Sequence, residues 1–164
     1  MEIGLYDLKC YLFNCMYTQQ QASKLRRDFW TNFGQYMRPL PGADGENKNW
    51  LNYKTGIKHL YFRMDADQHH AAIAIEVRNQ DGVQREELYN KLQALSSIFT
   101  ETAGNDWKWE KTVLDQDGQA ISRISQVIPD VNVYNKADWP AIISFLKPKM
   151  LDLDRFWDLV KESF

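Results

Sequence analysis

Apolar side chains recur at spacings of three and four in the first third of the chain: Leu25, Phe29, Phe33, Tyr36 and Met37. That period predicts an amphipathic helix with Lys24, Arg26, Arg27 and Asp28 around its other faces. Thr18 and Gln21 have capping-box spacing, in which hydroxyl and amide each satisfy an exposed backbone N–H, so the helix should start there. Pro39 and Pro41 end it. The period then changes from helical to alternating. Residues 58–65 place Leu60, Phe62 and Met64 on one side and His59, Tyr61 and Arg63 on the other. Residues 71–78 place Ile73, Ile75 and Val77 inward and Ala72, Ala74, Glu76 and Arg78 outward. Two such runs around Asp65-Ala66-Asp67-Gln68 predict an antiparallel hairpin.

The helical period returns from about Asp81 to Thr102, with Leu88, Leu92, Leu95 and Phe99 as its stripe and Gly104-Asn105 as its stop. Strands over 107–114 and 119–127 flank Asp117-Gly118, a strong turn signal, and predict a second hairpin. Asp138 can cap a helix opening at Trp139-Pro140. Pro148 is expected to separate that helix from a terminal one carrying Leu153, Phe156, Trp157 and Val160. The predicted order is α-ββ-α-ββ-α-α. Its simplest packing is an α+β two-layer sandwich, a four-stranded, mainly antiparallel sheet covered by helices. The Pro-, Gly- and Asn-rich stretch from Arg38 to about Gly56 is a long loop, and loops of that length often carry function.

The chain has 164 residues, enough for one core, and residues 16–164 are expected to form a single domain after an N-terminal extension over 1–15. If folded, the extension would form a short strand or arm, because Leu5, Tyr6, Tyr11, Leu12 and Phe13 need cover. Apolar residues at 44% exclude wholesale disorder. The formal charge of −2 argues against a surface coated in positive charge and leaves room for a local basic patch. No run reaches the roughly 18 apolar residues of a spanning helix, so no membrane partner is expected. Cys10 and Cys15 lack both a disulfide framework and partners for zinc. Glu2, Asp7 and Lys9 interrupt any signal-peptide core. A cytoplasmic location is the expectation.

The segment between Glu46 and Asp65 contains no acid, while Lys48, Lys54, Lys58 and Arg63 fall within it beside Trp50, Tyr53 and Tyr61. Cations attract phosphate and rings can stack bases, so this is the leading candidate for nucleic-acid contact. The competing explanation is that Trp50 and Tyr53 pin the loop to the core. Asp67 with Glu76-Val77-Arg78 loosely matches the carboxylate and cation pattern of metal-dependent nucleases. Arg78 is always charged and makes a poor base, and cross-strand pairing explains Glu76 and Arg78 equally well. His69 and His70 are adjacent on an extended stretch and point apart, which disfavours joint ligation. Trp107, Trp109 and Lys111 share a strand face, where the tryptophans either stack a ligand or pack under a helix. No nucleophile triad or phosphate-cradling glycine loop is visible, and no cofactor, metal ligand or catalytic residue is assigned.

Several segments carry a family resemblance: Phe29-Trp30-Thr31-Asn32-Phe33-Gly34-Gln35-Tyr36-Met37, Asn49-Trp50-Leu51-Asn52-Tyr53-Lys54-Thr55-Gly56, Phe62-Arg63-Met64-Asp65-Ala66-Asp67, Trp107-Lys108-Trp109-Glu110 and Asp138-Trp139-Pro140. Through them, residues 16–164 resemble an uncharacterised bacterial family, domain of unknown function four-two-six-eight. The resemblance implies no established activity. Relatives occur alone or C-terminal to predicted restriction-type nuclease domains, which implies an association with nucleic acid by analogy only. The expectation is a binding or interaction module with a nucleic-acid or protein partner. Its face would be Lys48, Trp50, Tyr53, Lys54, Arg63, Glu76 and Arg78. The alternatives are a cryptic metal-dependent nuclease using Asp67 and Glu76, and a homo-oligomer joined through an aromatic interface.

Overall fold

The computed structural model describes residues 18–164. The expectations for residues 1–15, including both cysteines, lie outside the described residues. Helix α1 spans Gln19–Met37 and opens with the expected reciprocal Thr18–Gln21 cap. Phe29, Phe33 and Met37 form its buried stripe. Strands β1 (Leu60–Ala66) and β2 (His70–Val77) form the first hairpin, and β3 (Lys108–Leu114) and β4 (Ala120–Pro129) the second. The two hairpins join through β2 and β4 into one antiparallel sheet of order β1-β2-β4-β3. Between the hairpins lie α2 (Gly82–Ala94) and α3 (Ser96–Ala103), and α4 (Trp139–Val160) follows the second.

Two helix boundaries differ from expectation. The Asp81–Thr102 helix is interrupted at Leu95, whose N–H bonds to Leu92 O at 3.0 Å, an i to i−3 contact that tightens the turn. The following turn puts Phe99 edge-on against Trp107, Trp109 and Phe156. Conversely, α4 runs through Pro148 without a break. Its buried stripe, from Ile142 and Leu146 before the proline to Met150, Leu153, Phe156, Trp157 and Val160 after it, is continuous. Packing of that stripe outweighs the one hydrogen bond that proline removes. The helical order is therefore α-ββ-αα-ββ-α.

The helices and the inward side of the sheet share one core, containing Phe62, Ile73, Ile75, Val77 and Ile124 with Phe29, Leu92, Leu146 and Phe156. The outward side carries Tyr61, Arg63, Ala74, Glu76 and Arg123, in register across the strands. Ala74 and Glu76 point outward as expected but are buried. The Ala74 methyl lies between its register neighbours Arg63 and Ser125, and Glu76 between Tyr61 and Arg123. The tryptophans Trp107 and Trp109 pack under helices.

The loop between α1 and β1 is fastened at several points. Gly42 N–H donates to Glu46 O at 2.8 Å, and Pro41 bridges to Asn47. Trp50 Nε1 donates to Leu40 O at 3.1 Å, and Trp157 Nε1 donates to Thr55 O at 3.0 Å. The central fastening is the buried Asp154 carboxylate on α4. It accepts from the Tyr53 hydroxyl at 2.6 Å and from the Ala43 N–H at 2.7 Å. Tyr53 also stacks on Phe62, with centroids 5.0 Å apart.

Burial, then the Asp154 carboxylate, pushes the Tyr53 phenol far above its ordinary value of 10. The folded state therefore holds this proton more tightly than the unfolded chain. The stability it contributes is complete below the unfolded value and falls as pH rises past it. Tyr53→Phe should lower stability by about 1–3 kcal/mol at neutral pH, since it leaves a buried carboxylate short of a donor. It should also flatten the loss of stability above about pH 10. Urea denaturation at neutral and alkaline pH measures both effects, and a variant as stable as the parent would show the contact to be idle.

Candidate functional site

The residues singled out from the sequence divide between two layers. Trp50 and Tyr53 are buried on the helical side, at 3% and 9% exposure. Arg63, Glu76 and Arg78 lie toward the outward side of the sheet, beyond the strands that carry the core. The expected convergence of loop and hairpin side chains on one accessible spot does not occur. Alternation explains the division: Phe62, which receives Tyr53, and Arg63 are adjacent on β1 and so face opposite ways. Lys54 is exposed, while Lys48 is paired with Asp44.

On the outward side Glu76 sits between two guanidinium groups. Arg78 Nε donates to its Oε2 at 2.6 Å, and Arg123 Nε lies 3.4 Å from Oε1. Arg78 Nη1 also donates to Asp115 Oδ2 at 2.9 Å. Asp115 is held below the usual carboxylate range by the Gln119 N–H, then by the Asp117 N–H and Arg78. Glu110 stands opposite Arg123 in the β3–β4 register. Glu76 pairs across the strands with Arg123 and, two residues along the chain, with Arg78, while Glu110 pairs with Lys108. Asp67 does not join them. It caps the β1–β2 turn through the His69 and His70 N–H groups, about 20 Å along β2 from Glu76. Among the described residues, no group of three or more His, Cys, Asp or Glu is placed to hold a metal ion.

A second arrangement lies on the helical side. The polar face of α1 and the segment 47–51 enclose an open cleft of about 650 Å³. Thr31, Gln35 and Arg38 line it from α1, and Asn47, Lys48 and Asn49 from the loop. Asn49 Oδ1 caps the 3-10 turn Trp50–Asn52 by accepting from the Asn52 N–H, which fixes the loop wall. Gly34 permits the close approach of the two walls, because a Cβ there would lie 2.8 Å from Leu51 Cδ1. Lys48 crosses Gly42, where an added Cβ would meet its Cε at 2.3 Å. The Lys48 ammonium, then the Glu46 N–H, holds Asp44 below the usual carboxylate range.

Only Lys48 and Trp50 of this cleft were singled out from the sequence. The signal for the rest was present in the spacing. Lys24, Arg27, Thr31, Gln35 and Arg38 recur at three and four on the side of α1 opposite Phe29, Phe33 and Met37. Polar helix faces are ordinarily solvated, so the stripe draws no attention until a loop is seen to pack beside it.

Replacing Glu76 by Ala removes the anion between Arg78 and Arg123, whose side chains are 33% and 27% exposed. The cost should be about 2 kcal/mol, less than for a fully buried pair because both cations reach water. Chemical denaturation measures this, and unchanged stability would refute a structural role for the network.

The family model for Domain of unknown function (DUF4268) matches residues 25–161. No curated protein and no solved structure gives a significant match. The two longest segments that carried the resemblance, 29–37 and 49–56, contribute Thr31, Gly34, Gln35, Asn49, Trp50 and Leu51 to the cleft. With the match spanning most of its length, the chain belongs to the DUF4268 family.

Proposed function

We propose that this protein is a cytoplasmic binding module that contacts nucleic acid through the basic first third of its described chain, centred on the cleft between α1 and residues 47–51. One observation carries the reading. Residues 18–64 hold eight Lys and Arg against three Asp and Glu, although the whole chain is at −2. Among the described residues, Lys24, Arg27, Arg38, Lys54 and Lys58 form no salt bridge to a carboxylate, while Arg63 lies with Glu76 on the outward side of the sheet. Cations left open to solvent are free to replace the counterions of a phosphate backbone. Lys48 lines the cleft while paired with Asp44, and Lys54 is exposed. Trp50 and Tyr53 support the site by fixing its loop wall, and Glu76 and Arg78 belong to the opposite surface.

Fluorescence anisotropy with labelled DNA and RNA at low and moderate salt tests the reading. Binding should weaken steeply as salt rises. Arg38→Ala should weaken it several-fold and reduce the salt slope by about one. No binding at low salt removes the proposal.

A further inference from the structure

The cleft also bears on which form of nucleic acid is bound. A helix reads duplex DNA by entering a groove about 12 Å wide, while a helix with its side chains is itself about 10–12 Å across. From Thr31 to Arg38 the polar face of α1 is kept from such a groove, because residues 47–51 stand against it, with Leu51 packed over Gly34. The open cleft has the volume of a small-molecule site. Gln35, Asn47 and Thr31 are among its lining residues, while the Asn49 carboxamide oxygen is already engaged by the Asn52 N–H. Carboxamides offer a donor and an acceptor side by side, the combination that pairs with an exposed base edge. Trp50, at 3% exposure, offers no ring face for stacking, so recognition falls to hydrogen bonds. From the cleft the stripe continues along α1 through Arg27 to Lys24. Lys24 lies about 21 Å from Arg38 along the helix axis, which is room for several successive phosphates.

We propose that the cleft holds one unstacked nucleotide of a single strand, edge-bonded by Gln35 and its neighbouring amides, while the flanking phosphates follow Lys24, Arg27 and Arg38. This rests on the nucleic-acid reading above. The test compares a labelled single-stranded oligonucleotide with the duplex of the same sequence and length, using the full chain. The single strand should bind at least about tenfold more tightly at equal salt. Gln35→Ala, a surface change to the best helix former, should weaken single-strand binding about fivefold, the effect of one lost neutral hydrogen bond, without altering the salt slope. Arg27→Ala should instead lower that slope by about 0.7. Equal or tighter binding of the duplex, or wild-type affinity in Gln35→Ala, overturns the single-strand proposal and leaves the broader reading standing. Absence of binding to either form overturns both.

Discussion

The buried carboxylate of Asp154 is the contact on which the arrangement of the first half depends. A charge at 2% exposure is tolerable only if donors surround it, and Tyr53 and Ala43 supply them from a loop more than 100 residues away in sequence. The pairing works in both directions. The loop satisfies the charge, and the charge fixes the loop onto α4. Once Tyr53 is seated on Phe62, the residues just before it are brought alongside α1, and a cleft exists where the sequence alone suggests an irregular connection.

Elements defined by local chemistry were legible in the sequence. The Thr18–Gln21 cap, the Asp117-Gly118 turn and the alternation of both hairpins are short-range signals, and they fixed the α+β architecture and its four-stranded sheet. The errors arose where distant packing decided the outcome. Pro148 carries a local breaking signal, but the buried stripe on either side of it keeps α4 whole. No glycine or proline marks Leu95, where the chain turns to bring Phe99 against Trp107 and Trp109.

The candidate site was legible only in part for a related reason. Sequence proximity grouped the basic residues 48–63 with Glu76 and Arg78, but the pleat of β1 sends adjacent residues to opposite sides of the sheet. Composition identified a region of unbalanced charge correctly. It could not say that Trp50 and Tyr53, the rings that made the region attractive, are inside. Nor could it pair Arg38 with Lys48, since their meeting depends on the Asp154 fastening and on the missing side chain of Gly34.

The two faces of the molecule treat charge differently, and the difference separates folding from recognition. On the outward side, carboxylates and guanidinium groups alternate from Asp115 through Arg78 and Glu76 to Arg123, so little field extends beyond the surface. Along α1 and the loop, Arg26 and Lys48 are paired with Asp65 and Asp44, but Lys24, Arg27, Arg38, Lys54 and Lys58 have no carboxylate partner, and their potential reaches solvent for about a Debye length, roughly 8–10 Å at physiological salt. A protein of net charge −2 can therefore still carry a locally positive face. On the proposed reading, such a surface favours an oriented encounter with a polyanion over nonspecific coating.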